Sequence, residues 1–241
     1  MAIVSTKAIV ISAIKYGDTS LIVKIYTQEN GLCSYMIKGV LKSKKGKLKA
    51  AYFQPLTLLN IVTSHQEKRN LQSIRDAQVN YLYKTIHTDT IKQCIVMFLS
   101  EVLANSIQEE EANELLFDYL ENAFLWLDSH ENCSNFHLLF LLNLTKFLGF
   151  YPDTSEQQKN GFHLREGIFT NAVHDKEIVT GEEVSQLKKL LGINFDAIES
   201  VNFSKTQRQI LLQMLIRYFE LHLDGFRNPK SLGVLEAVFS R

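Results

Sequence analysis

Six of the twelve residues from 38 to 49, KGVLKSKKGKLK, are lysines and none is acidic, although the 241-residue chain has a formal charge of zero. A lysine ammonium is a point charge on a flexible stem and lacks the planar fork with which Arg reads a guanine edge. Such a run neutralises phosphates and releases their counterions, so its binding is salt-sensitive and indifferent to base sequence. Catalytic patterns are absent: there is no phosphate-cradling Walker loop, GxGxxG turn, HExxH helix or G-x-S-x-G elbow. His163 and His174, with Glu166 and Asp175 nearby, lack the tight spacing of a metal site and read as polar side chains turned to water. The remaining reading of the lysine run itself is a solvated loop without a partner.

Charge is unevenly divided along the chain. Residues 1 to 80 hold twelve Lys or Arg against four acids, a net +8, and the remainder carries −8, with EEEANE at 109 to 114. A basic module that meets a polyanion is thus joined to an acidic one. Cys33, Cys94 and Cys133 are odd in number and far apart, which suggests neither a disulfide framework nor a zinc site and makes the cytoplasm the expected compartment. The N-terminus does not read as a signal peptide, and the most apolar run, 136 to 150, is shorter than a bilayer span and contains Lys146, so no membrane is expected.

Hydrophobic period divides the chain at nearly the same place. Up to residue 80, alternating stretches rich in Ile, Val, Thr and Tyr predict five strands near 6–15, 20–27, 31–38, 55–64 and 71–80, with Glu29-Asn30-Gly31 turning the second into the third. Five short strands in this length suit a small, partly open barrel of the OB type. From 81 to 241 the period is helical. Helices are expected from a cap at Asp89 to about 105, from 110 to 127 with acids in the first turn, and from 135 to 148, ended by Gly149 and Pro152. Two short extended pieces, 162–164 and 167–170, follow a polar segment. Thr180-x-x-Glu183 and Ser204-x-x-Gln207 read as capping boxes for helices to about 191 and 223, and a last helix covers 230 to 239. The expected fold is therefore α+β: an OB-type β-barrel over 1–80 and a helical domain over 81–241, with a polar and extended insertion near 151–175. Trp126 is expected in the helical core.

These elements place the charges. Strand alternation puts Lys24 and Tyr26, with Ser34, Met36 and Lys38, on one face of the second and third strands. The loop with Lys42, Lys44, Lys45, Lys47 and Lys49 leaves that face, and Lys68 and Arg69 lie in the loop between strands four and five, which flanks the binding groove of OB barrels. Tyr26 is either a ring on which bases stack or a packing residue against a neighbouring element.

At these residues the chain resembles the bacterial recombination mediator family RecO. The resemblance lies in Tyr16-Gly17-Asp18, Thr27 with Gly31, Lys38-Gly39 followed by Ser43-Lys44, and Gln54-Pro55-Leu56. It continues in FLLNLTKFLGFYPD (140 to 153) and the tail LHLDGFRNPKSLGVL, and so runs nearly end to end. It implies a non-enzymatic DNA-repair protein, without cofactor, that binds single- and double-stranded DNA and anneals complementary strands. It also implies partnership with RecR, contact with the C-terminal tail of the single-stranded DNA-binding protein SSB, and loading of RecA. Many members carry a four-cysteine zinc site after the Pro-Asp; residues 153 to 175 contain no cysteine, so no zinc is expected. Leu141 and Asn143 stand where relatives often place Glu and Arg, and no residue is assigned to the SSB tail. The alternative is an interaction scaffold whose barrel grips an acidic protein.

Overall fold

The β-branched and aromatic stretches of the first eighty residues form five strands: β1 (Ala2–Tyr16), β2 (Ser20–Thr27), β3 (Gly31–Ile37), β4 (Leu58–His65) and β5 (Ser73–Val79). In this computed structural model, which describes residues 2–42, 46–66, 69–107, 111–172 and 174–239, they make one antiparallel sheet of order β3-β2-β1-β4-β5. A parallel bridge between Tyr35 and Gln72 joins its two edges, with Gln72 N–H donating to Ser34 O at 2.8 Å and Met36 N–H to Gln72 O at 3.0 Å. One bridge is not a ladder. The sheet is curled into an OB-type arrangement and left partly open, and helices follow it, so the expected fold class is the one observed.

β1 serves both halves of the sheet, pairing over 8–16 with β2 and over 2–9 with β4. Between Val10 and Ser12 its register with β2 shifts by one residue, leaving Ile11 as a bulge that bends the strand. The bend is fixed from the side: Leu56 N–H donates to Val10 O at 2.7 Å and Val10 N–H to Thr57 O at 3.1 Å. Leu56 is held at φ 60, a strained conformation for a branched side chain, while Tyr83 Oη donates to its carbonyl at 2.9 Å. The concave face buries Val10, Val23, Ile25, Tyr35, Ile37, Leu59 and Ile61. Between β2 and β3, Gly31 takes φ 61 and Thr27 Oγ1 accepts from Asn30 N–H, closing the turn that Asn-Gly specified.

Helices α1 (Thr90–Ser106) and α2 (Glu114–Ser129) belong to the same compact unit as the sheet, residues 1–129; residues 130–241 form the other. Packing thus divides the chain later than hydrophobic period does. Asp89 caps α1 by accepting from Lys92 N–H at 2.9 Å, as its position predicted. α2 starts at Glu114, where Asn113 Oδ1 takes the Leu116 N–H and supplies the cap; residue 110, the expected start, lies outside the described residues. Asp128 joins these helices to the segment after β5. Its buried carboxylate accepts the N–H groups of Lys84, Thr85 and Ile86 at 2.8 to 3.1 Å, and Lys92 Nζ donates to its carbonyl. Burial alone would raise its pKa; the three backbone donors outweigh that and hold it below the ordinary carboxylate value. Trp126 is buried, as expected.

The second unit is built on α3 (Phe136–Phe147), whose residues from Phe136 to Thr145 are all buried. It ends where Gly149 takes φ 83. The polar segment leads into a three-stranded sheet of β6 (Gly161–His163), β7 (Ile168–Thr170) and β8 (Ile178–Thr180), the last unforeseen because three residues show no period. Then come α4 (Glu182–Leu190), the single turn α5 (Phe195–Ile198), α6 (Lys205–His222) and α7 (Leu232–Phe239). The Ser204–Gln207 capping box is present. The Thr180–Glu183 box is not: Gly181, at φ 66 and ψ −127, occupies the N-cap, and Thr180 is committed to β8.

Replacing Asp128 with Ala leaves three backbone N–H groups, that of Ile86 buried, without their acceptor and is expected to cost about 2–4 kcal/mol, read as a lower denaturant midpoint. His137 in α3 is 1% exposed; burial first, then the Arg208 charge, push its pKa down to about 3. Its unfolded value is near 6.5, so between these limits only the unfolded chain gains the proton. Stability is therefore complete above about pH 6.5 and declines towards pH 3 by up to about 1.4 kcal/mol per pH unit. The thermal midpoint of the wild type is expected to fall more between about pH 7 and about pH 4.5 than that of His137→Phe, which keeps a ring stacked on Phe239.

Candidate nucleic-acid interface

The predicted cations lie on β2, in the turn after β3, before the short 3-10 helix and in the β4–β5 loop. Lys24 projects from β2 between Ser12 of β1 and Ser34 of β3, and it is exposed. Lys38 and Lys42, also exposed, follow β3 in a turn tied to the β1–β2 connection, where Leu41 N–H donates to Thr19 O at 2.9 Å and Gly39 N–H to Ser20 Oγ at 3.3 Å. Lys47 and Lys49 are exposed before a short 3-10 helix (Ala50–Phe53), with Lys49 Nζ 5.9 Å from the centre of the Tyr52 ring. Arg69 stands in the β4–β5 loop, which Gln72 pins to the β3 edge by donating to Gln66 O and Arg69 O. Lys44, Lys45 and Lys68 lie outside the described residues. Among the described residues, none of these six cations takes part in an ion pair; Lys7, by contrast, is paired with Glu121 at 2.9 Å. Exposed cations without ion pairs are what phosphate neutralisation requires.

Tyr26 requires a correction. Its ring is 1% exposed and stacks on Phe117 of α2, centroids 6.3 Å apart and planes 20° apart, and its hydroxyl donates to Asn113 O at 3.4 Å. Of the two alternatives, packing is the one realised, and no ring face is open to a base. The cause is α2, whose Phe117, with Asn113 at its cap, covers the part of the convex face at Tyr26. The same face stays open nearer the β1–β2 turn, where Ile14 is 60% and Tyr16 57% exposed. Sequence reasoning missed this pair because the bulge at Ile11 shifts the alternation of β1 by one, bringing Ile14 and Tyr16 to the face of Lys24.

Other groups fit the role less well. A cleft of about 770 Å³ in the second unit is walled by Lys176 and Arg217 but also by Glu183, Glu220 and Glu236, a balance that opposes a polyanion. His163 Nε2 lies 3.4 Å from Asp175 Oδ2 and 3.9 Å from Glu166 Oε1, while His174 is not part of the arrangement. Among the described residues no group of three His, Cys, Asp or Glu could hold a metal ion. In the insertion, Phe162 and Phe169 pack at 5.1 Å and Arg165 and Arg217 flank Glu177, so apolar packing and ion pairs hold this small sheet together. No helix among the described residues is long and apolar enough to cross a membrane.

An OB-type sheet followed by helices defines the class by its fold, an OB-type domain joined to a helical one. Comparison with known proteins narrows it. Residues 1–83 match the family model "Recombination protein O N terminal", and residues 87–232 match "Recombination protein O C terminal". The chain is 49% identical over 237 residues to the DNA repair protein RecO of Christiangramia forsetii, covering 98% of this chain and 99% of that one. It is likewise 49% identical over 237 residues to that of Flavobacterium johnsoniae, with the same coverage, and 36% identical over 239 residues to that of Phocaeicola vulgatus, covering 98% of each. The chain belongs to the RecO family of DNA repair proteins.

The two Tyr26 variants separate packing from recognition. Tyr26→Ala should destabilise the first unit by about 3–5 kcal/mol, as truncation of a buried aromatic does. Tyr26→Phe keeps the ring on Phe117 and should bind single-stranded DNA within about twofold of the wild type, measured by fluorescence anisotropy.

Proposed function

We propose that this protein is a non-enzymatic DNA mediator that binds single- and double-stranded DNA through the basic side of its sheet and anneals complementary strands. With RecR it assists the loading of RecA onto DNA coated by SSB, whose C-terminal tail it contacts. The work belongs to the cytoplasm, where residues 1–80 hold nucleic acid and residues 81–241 serve protein partners. The observation that carries this reading is the set of exposed cations on β2, the turn after β3 and the β4–β5 loop, free of ion pairs among the described residues. Lys44, Lys45 and Lys68 extend the set by sequence.

The mechanism follows from the charge type. Two strands repel through their phosphates; ammonium groups on the sheet and its loops lower that repulsion while leaving base edges free to pair, because lysine makes no planar contact with them. No bond is made or broken, so the protein acts on the encounter and leaves no covalent trace.

A salt series tests this. For single-stranded DNA, the slope of log affinity against log salt should become shallower by about 0.7 for each phosphate that is no longer neutralised, so by about 3 when Lys24, Lys38, Lys42 and Lys47 are all changed to Ala. The annealing rate should fall in parallel. A folded quadruple variant with the wild-type slope and annealing rate would sink the proposal.

A further inference from the structure

With Tyr26 covered, the sheet still presents an uncovered aromatic. Tyr16 ends β1 opposite Ser20, on the same face as the rung Ile14–Ile22–Met36 and the rung Ser12–Lys24–Ser34. Tyr16 and Ile14 are more than half exposed, Ile22 and Met36 partly so, and Leu41, 41% exposed, is brought beside them by its hydrogen bond to Thr19. Among the described residues, nothing covers Tyr16 and Ile14. Their surroundings say what would cover them: Lys24, Lys38 and Lys42 are exposed and carry no ion pair among the described residues. One flat ring on an aliphatic floor, with cations beside it, matches a ligand with flat apolar groups joined by anions.

We propose that Tyr16, on the floor made by Ile14, Ile22 and Met36, is the ring on which an unpaired base of single-stranded nucleic acid stacks, while Lys24, Lys38 and Lys42 take the adjoining phosphates. This deepens the DNA-binding reading and rests on it. Lysines alone bind single and double strands alike, since both offer phosphates; a stacking ring adds affinity only where a base face is free. The Tyr16 platform therefore gives the sheet its preference for single strands, and it holds bases splayed on one side with their pairing edges outward.

The experiment uses the full-length protein and three fluorescent probes of equal phosphate number: an oligothymidylate, an abasic single strand and a duplex. The wild type should bind the oligothymidylate more tightly than the abasic strand. Tyr16→Ala should weaken oligothymidylate binding by about tenfold or more, as expected for one stacked base, and should abolish its advantage over the abasic strand. The salt slope should stay the same, because every counterion site remains, and duplex affinity should be unchanged. Tyr16→Phe should restore binding. Equal wild-type affinity for base-bearing and abasic strands, or an Ala variant that binds as the wild type does, overturns the inference and leaves the lysine reading standing. A wild type that binds none of the probes at low salt fails that reading instead. An Ala variant with altered self-association in sedimentation and unaltered DNA binding assigns the face to a second copy of the chain, which also overturns it. Circular dichroism establishes that the variant is folded.

Discussion

The single extra residue at Ile11 governs the first unit. A strand that pairs with β4 over its first half and β2 over its second must turn between them, and the bulge supplies the turn. The strained Leu56 and its bonds to Val10 and Tyr83 keep that turn from relaxing. Because a one-residue shift exchanges the two faces of a strand, the bulge also decides which side chains of β1 enter the core. Val10 and Ala13, three residues apart, both point inward, and Ile14 and Tyr16 are sent outward beside Lys24.

The convex face is then divided by α2. Near Tyr26 the helix covers it, anchored by the ring contact with Phe117 and by Lys7 bonded to Glu121. Towards the β1–β2 turn it is bare. Asp128, at the far end of the same helix, fastens the segment from 84 to 86 and so fixes where the chain leaves the sheet. The acidic helix therefore buries one part of the basic module and neutralises Lys7, while the cations nearer the turn and the loops remain unpaired among the described residues. The charge division along the chain thus becomes a division of one surface.

How far the site was legible depends on the range of the interaction that sets it. The β2–β3 turn, the caps at Asp89 and Ser204, the end of α3 at Gly149 and the exposure of the loop lysines follow from contacts within a few residues, and such contacts are written in neighbouring letters. The capping box at Thr180 failed because that residue pairs with Gly161, nineteen positions away, across the small sheet. Tyr26 shared a face with Lys24 as its spacing required, yet spacing carries no information about what lies on that face; its hydroxyl bonds to a residue 87 positions away.

The sequence by itself determined the order of five strands and then helices, the concentration of positive charge in the first eighty residues and the polarity of the loops that carry it, since propensity, period and charge are local properties. Which tyrosine is buried, which is bare and which lysine is paired were decided only by tertiary structure. A bulge of one residue reverses a strand's faces, and a helix from a distant part of the chain chooses the part of the sheet it covers; neither effect has a local energetic signature strong enough to read in advance.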